Sequence, residues 1–346
     1  MSKKVVVIED YSVRGGRMRF YDFLKKDYGA QVVYVKDLPE IGADEFNGMF
    51  LKMETQGPDV LPVNQDILEA MSDAHIVISH ISAISSEAVN KAKNLEAICI
   101  MRSGVENVNV PNAVQKGVKI INTPGRLAIS VSEFTIGLMV SEMKNIARSH
   151  EKVMKGAFVR TFHNSSYSCS LCGKYVGLIG FGAIGKRTAG ILSAMEANVL
   201  VFDPYVPREQ IKKMGYTPVS LNELCRKADV ISVHYRLTPE TERLIGKEQF
   251  ELMKPHCFFI NTARAGLVDE PSLIDALVND KIGGAGLDVF HQEPLPPEHP
   301  FLKLENVTLT AHLAGTGSDN FEITLQIMEG ALRRYFESGQ WINTVN

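Results

Sequence analysis

The chain has 346 residues, enough for two domains of ordinary size. Lys plus Arg total 37 and Asp plus Glu 40, a formal charge of −3, which excludes nucleic acid and anionic membrane as expected partners. No apolar run approaches the ~20 residues needed to cross a bilayer, and five cysteines, an odd number, suit reduced thiols, so a cytoplasmic protein is expected.

The first apolar stretch, Val5–Ile8, ends at once in Glu9-Asp10 and reads as a buried strand, too short for a signal-peptide core. A helix is expected over Met18–Tyr28 and a strand over Val32–Val35. Residues 42–66, punctuated by Gly42, Gly48, Gly57, Pro58 and Pro62, read as irregular. Strands follow at Ile76–Ser79, Ala97–Met101 and Val118–Ile121, with a helix over Ser86–Lys93. Leu127–Lys155 lacks proline and reads as one long helix that bridges domains or packs on a second subunit.

A second series then begins. Strand Tyr175–Ile179 leads to helix Ile184–Ala197 and strand Val199–Phe202. Ser220-Leu221-Asn222-Glu223 reads as a capping box, followed by strand Val230–Val233, helix Lys247–Met253, strand Phe258–Asn261 and helix Asp269–Val278. Strands Gly284–Val289 and Val307–Thr310 precede a last helix over Asn320–Glu337. Short apolar strands alternating with helices imply parallel sheets covered on both faces. The fold class expected is α/β, with two doubly wound domains. The last helix returns to the first of them, giving 1–105 plus 316–346 against 106–315.

Gly180-Phe181-Gly182-Ala183-Ile184-Gly185 directly follows a strand and opens a helix, the context in which a glycine turn binds a dinucleotide pyrophosphate. Gly180 permits the turn, Gly182 lets the anion approach, and Gly185 lets helix and strand pack. The helix N-terminus supplies N–H groups and positive dipole. Asp203, at the end of the next strand, suits ribose hydroxyls and repels a 2′-phosphate, which favours NAD over NADP. Three ionisable residues lie beyond later strand ends: Arg264, Glu293 and His312. A histidine can protonate a carbonyl oxygen, a carboxylate can fix its tautomer, and a guanidinium can grip a substrate carboxylate. Together they suit hydride transfer between NAD(H) and a 2-oxo or 2-hydroxy acid. Cys169 and Cys172 have CxxC spacing but no second ligand pair, so the spacing reads as incidental and no metal site is expected.

These stretches, with Asn261–Glu270, Gly286–Pro294 and Thr310-Ala311-His312, resemble the D-isomer-specific 2-hydroxy acid dehydrogenases, strongly over residues 97–316. The resemblance implies two Rossmann-like domains with the active site in the cleft between them, and a homodimer. It implies His312 as general acid/base with Glu293 and Arg264. It also implies a carboxylate loop at Arg102–Asn107 whose Ser103, Gly104 and Val105 donate N–H groups. Further NAD contacts fall on Ala183, Ile184, Asp203, His234, Thr238, Ala263 and Asp288, the last near the nicotinamide carboxamide. Where the family commonly has an Arg that binds anionic substrates, this chain has His80. Hinges are expected near Val105–Asn109 and Ala314–Gly317. An alternative within the resemblance is an NAD(H)-sensing corepressor; another is a formate- or phosphite-oxidising enzyme.

Overall fold

The computed structural model describes residues 2–13, 16–37, 42–62 and 64–346. It divides into two compact units: Met1–Arg126 with Ser318–Asn346, and Leu127–Gly317.

Unit 1 carries strands β1 (Lys4–Glu9), β2 (Gln31–Lys36), β3 (Ile76–Ser79), β4 (Ala97–Ile100) and β5 (Lys119–Ile121). Its helices are α1 (Phe23–Tyr28), α2 (Ala43–Gln56), α3 (Gln65–Met71), α4 (Ser86–Lys91) and α5 (Val110–Gln115). The strands form one parallel sheet in the order β2-β1-β3-β4-β5, a doubly wound topology. The uninterrupted run Val5–Ile8 makes sense in such a sheet. Val5 and Val7 point into one core with Ile76, Ile78 and Cys99, while Val6 and Ile8 point into another with Val77, Ile98 and Ile100. The helix Asn320–Ser338 covers the first of these cores with Leu325, Met328, Ala331 and Leu332.

Unit 2 carries α6 (Ala128–Met143), α7 (Ile146–Met154), β6 (Tyr175–Ile179), α8 (Ala183–Ala194), β7 (Asn198–Phe202), α9 (Arg208–Lys213) and β8 (Thr217–Pro218). It continues with α10 (Leu221–Lys227), β9 (Val230–Val233), α11 (Lys247–Leu252), β10 (Phe258–Asn261), α12 (Glu270–Val278), β11 (Gly284–Leu287) and β12 (Val307–Leu309). Its parallel sheet runs β12-β11-β10-β9-β6-β7-β8, so the chain order reverses between β6 and β9. A crevice for a ligand opens at the carboxyl end of such a reversal point.

Four expectations are corrected. Residues 42–66 are not irregular: α2 occupies most of the stretch, because Phe46, Met49, Phe50 and Met53 recur at helical spacing and outweigh Gly48. The long helix from Leu127 breaks in two at Asn145, whose backbone is left-handed (φ 56°). Arg148 donates to the Asn145 side chain at 2.9 Å and so fixes the bend. The stretch before α1, Arg17–Asp22, winds as a 3₁₀ turn. The chain leaves unit 1 after Arg126, not near Val105, because β5 pairs with β4 and α5 packs beneath them. Residues 105–109 therefore lie inside unit 1 and are no crossing point.

Candidate active site and dinucleotide turn

β6 delivers the chain into the glycine turn. Gly180 has φ 101°, and a Cβ there would stand 2.8 Å from the His234 carbonyl carbon. A Cβ on Gly185 would stand 2.3 Å from the Gly180 oxygen. Both positions exclude a side chain. Gly182, which caps α8, has nothing within 4 Å of its would-be Cβ. Its missing side chain serves approach from outside. Ala183, Ile184 and Gly185 form the first turn of α8, whose N–H groups have no acceptor within the helix.

Asp203 directly follows β7 and does more than was expected of it. Its carboxylate accepts the Phe181 N–H at 2.7 Å and the Tyr205 N–H at 2.8 Å, so it braces the turn. Each oxygen keeps a second lone pair for a ribose hydroxyl. His234 lies across the turn with both ring nitrogens shielded and unpartnered, and burial pushes its pKa down to about 4. Thr238 is tied to Thr241, whose hydroxyl receives the Thr238 N–H at 2.8 Å and donates to the Arg236 carbonyl at 2.7 Å.

The candidate catalytic groups stand on neighbouring strand ends. Register pairs Asn261 with Leu287 and Leu287 with Leu309, so β10, β11 and β12 finish level. Buried Asn261 shapes the turn that presents Arg264: its side chain receives the Ala263 N–H and donates to the Arg264 carbonyl, both at 3.0 Å. Arg264 is exposed, with one guanidinium N–H on the Ala263 carbonyl at 2.7 Å. His312 Nδ1 lies 2.9 Å from Glu293 Oε2, and the Phe290 N–H reaches Glu293 Oε1 at 2.9 Å. Burial works to raise the Glu293 pKa, but the bond to His312, the Phe290 N–H and the charges of His312 and Arg264 outweigh it and hold it below the usual range. An ionised carboxylate only accepts, so Nδ1 carries the proton and Nε2 is left free of Glu293. A cavity of about 440 Å³ opens beside the pair, lined by Phe290, Leu295, Leu302 and Leu309.

Asp288, which the resemblance places near the nicotinamide carboxamide, also serves the protein's own backbone. Its carboxylate is fully buried and accepts the Thr310 hydroxyl at 2.6 Å and the N–H groups of Leu313 and Ala314, each at 2.8 Å. It clamps the segment on which His312 sits with φ 53°.

In unit 1, His80 follows β3 and Ser103 follows β4, on adjacent strands paired Ser79 to Ile100. The Ser103 carbonyl accepts from Asn122 at 2.6 Å and its hydroxyl donates to the Thr123 carbonyl at 3.2 Å. Asn107 fixes the far end of the loop through the Ser82 carbonyl at 3.0 Å. Between them, Gly104 and Val105 are half-buried, and the Glu106 carboxylate lies over Gly104. His80 Nδ1 meets the Ser12 hydroxyl at 2.8 Å. Burial, with Arg126 and Arg102 nearby, pushes the His80 pKa down to about 3.

Residues 136–314 match the model of the D-isomer specific 2-hydroxyacid dehydrogenase NAD binding domain. A glyoxylate reductase of Thermofilum pendens is 33% identical over 82% of this chain and 84% of its own. The chain belongs to the D-isomer specific 2-hydroxyacid dehydrogenase family. A D-3-phosphoglycerate dehydrogenase of Methanocaldococcus jannaschii is 35% identical over 82% of this chain but only 53% of its own, so the family member described here spans about half the length of that relative. An NAD-complexed D-isomer specific 2-hydroxyacid dehydrogenase of Lactobacillus delbrueckii ssp. bulgaricus shares the fold with TM-score 0.77 over 99% of this chain and 100% of that one, at 21% identity.

NAD is the cofactor of this family member. Its residues fit the group: a cradle closed to side chains at Gly180 and Gly185, open space over Gly182, unpaired N–H groups at α8, and spare lone pairs on Asp203. No cluster of three or more His, Cys, Asp or Glu among the described residues is arranged to hold a metal. Cys172 donates its thiol to Glu196 at 3.0 Å. Asn261, Thr241, Asn122 and Thr123 support the site without having been singled out as site residues from the sequence. Asn at the end of a strand, just before Arg264, was the one available signal.

Proposed function

We propose that the chain reduces a small 2-oxo acid to the 2-hydroxy acid, taking up one hydride and one proton. The observation that carries this reading is the Glu293-bonded His312, level with Arg264 at the strand ends of the NAD-binding unit. Bound NADH supplies the hydride. His312 delivers the proton from Nε2 to the carbonyl oxygen while ionised Glu293 balances the imidazolium. Arg264 grips the substrate carboxylate in a planar fork. Asp288 and Asn261 hold the acid/base and the guanidinium in place.

Glyoxylate and hydroxypyruvate, for which relatives are named, are the first substrates to try. Ile146, Val153, Met154 and Phe158 are 53, 50, 73 and 87% exposed, and these apolar side chains on and after α7 support a homodimer. No helix among the described residues is long and apolar enough to cross a membrane, in keeping with a cytoplasmic enzyme.

His312→Ala is the test. Turnover should fall by about 10²–10⁴-fold, the usual contribution of a general acid, with NADH affinity close to normal. Unchanged turnover removes His312 from the chemistry. Tight NADH binding with no turnover of any 2-oxo acid by the wild type points to a sensor instead.

A further inference from the structure

One helix of unit 2 ties down the bases of both candidate catalytic groups. α6 lies across β10, β11 and β12, close enough that Gly284 and Gly286 of β11 leave no room for a Cβ against Glu142 and Leu138. Its buried face sets Val131, Leu138, Met139 and Met143 beside fully buried Thr135 and Glu142. A buried hydroxyl costs stability unless it is bonded, so its partners are informative.

Thr135 Oγ1 donates its proton to the Val131 carbonyl one turn back, at 2.7 Å. A hydroxyl has a single proton, so in the 2.7 Å contact with Thr262 Oγ1 it is Thr262 that donates. The back-bond alone would satisfy Thr135 within its own helix. The Thr262 bond reaches beyond it, into the turn Asn261-Thr262-Ala263-Arg264. Ser130, on the first turn of α6, donates to the Ala314 carbonyl at 2.9 Å, just past His312. Glu142, on the last turn, accepts the Thr308 hydroxyl at 2.6 Å, at the start of the strand that leads to His312. α6 thus brackets the His312 segment at both ends and holds the Arg264 turn between them. His312 itself has φ 53°, a conformation that a residue with a side chain keeps only where its surroundings enforce it.

We infer that Thr135 and Ser130 are positioning residues: Thr135 aims Arg264 through Thr262, and Ser130 aims His312 through the Ala314 carbonyl, so that one helix sets both groups in register. The inference rests on the 2-oxo acid reading. Under that reading each hydroxyl has its own kinetic signature. Arg264 binds the substrate carboxylate in ground state and transition state alike, so Thr135 acts on KM. His312 moves the proton, so Ser130 acts on kcat.

The test is the split between KM and kcat. In Thr135→Val, KM for glyoxylate or hydroxypyruvate should rise about three- to tenfold, the return on one neutral hydrogen bond, with kcat and NADH affinity near wild type. Thr135→Ser should restore it. Thr135→Val also strands the Thr262 proton and should lower the melting temperature. Combining it with Thr262→Val replaces both partners with groups of the same shape, which is nearly neutral for stability. The double variant should therefore melt like wild type and keep the raised KM. A KM that returns together with the melting temperature makes the bond structural only and overturns the aiming of Arg264, as does a KM unaltered in Thr135→Val. In Ser130→Ala, kcat should fall about three- to tenfold at unaltered KM and NADH affinity, and Ser130→Thr should restore it. An unaltered kcat, or a joint fall of kcat and NADH affinity, overturns the aiming of His312. A second measurement does not depend on turnover. In the NADH complex, backbone hydrogen exchange should quicken over 262–264 in Thr135→Val and over 312–316 in Ser130→Ala, each without the other. Quickening of both segments in either variant, or of neither, sinks the inference, whereas the selective pattern without turnover of any 2-oxo acid upholds it and sinks the reductase reading alone.

Discussion

Asp288 can be tested as a strut rather than a cofactor ligand. Three donors converge on its buried carboxylate, at 2.6, 2.8 and 2.8 Å, and two of them flank His312 in the chain. Asp288→Asn replaces one acceptor oxygen by an NH₂ of the same size. With the amide oxygen toward Thr310 and Leu313, the NH₂ faces the Ala314 N–H. With the amide flipped, the Thr310 hydroxyl can rotate but the Leu313 N–H cannot. Either way one buried backbone donor loses its partner, at about 1–3 kcal/mol, and the remaining bonds lose their charge assistance. A total of about 2–3 kcal/mol corresponds to roughly 5–10 °C in the melting temperature of a unit of this size. The segment that aims His312 should loosen, and a displacement near 1 Å costs about 10²-fold in kcat. Steady-state kinetics, NADH titration and hydrogen exchange over 310–314 would read this. Unchanged kcat and melting temperature with weakened NADH binding would falsify the strut and place Asp288 against the cofactor.

Four further perturbations test other parts of the structure. Gly185→Ala puts a Cβ 2.3 Å from the Gly180 oxygen, so the turn must open; NADH affinity should drop sharply, with a stability cost of about 1–3 kcal/mol. Gly182→Ala, with nothing within 4 Å, should fold as wild type and lose only NADH affinity, which titration and a thermal melt would separate. Glu142 is fully buried and bonded to Arg148, Asn164 and Thr308, so Glu142→Ala should cost about 3–5 kcal/mol in denaturant unfolding by stranding Arg148. Acid should weaken both units through His234 and His80, whose folded pKa values of about 4 and 3 lie below the ordinary histidine value of 6.5. Above pH 6.5 neither state binds the proton; as pH falls below it, the unfolded chain does and the folded one does not, so stability declines. For His234 the loss is about 2 kcal/mol by pH 5, and a flat urea midpoint between pH 7 and 5 would refute the buried neutral ring.

The fold was legible because its strands announce themselves. Val5–Ile8, Val230–Val233 and Phe258–Asn261 are fully buried on both faces, and only a covered parallel sheet asks for such runs. The helices were harder to delimit. The break at Asn145 depends on Arg148 reaching back to Asn145 and Glu142, a pairing six residues long that no periodicity encodes. α2 was hidden because Gly48 and the flanking glycines and prolines resemble loop punctuation, whereas the apolar spacing that overrides them spans barely two turns. The boundary was misplaced because β5 is only three residues long, and its membership of the first sheet is decided by pairing with β4 and by the C-terminal tail, where the Val345 N–H reaches the Ile120 carbonyl at 2.8 Å.

The site divides along a similar line. Residues proposed to meet a ligand sit at strand ends and carry unusual chemistry for a loop, so Arg264, Glu293, His312 and the glycines stood out. Residues that aim them are ordinary polar side chains buried beneath, and nothing in their identity distinguishes a strut from a solvated loop residue. Asp203 and Asp288 show how the two kinds can be confused. Both are acids at the end of a strand, and both were expected on the cofactor. Asp203 is half-exposed and keeps lone pairs after bonding Phe181 and Tyr205. Asp288 is sealed, with three donors on its two oxygens. Burial, which the sequence pattern leaves open for a single polar residue, is what separates the acid that keeps free lone pairs from the one that holds the His312 segment.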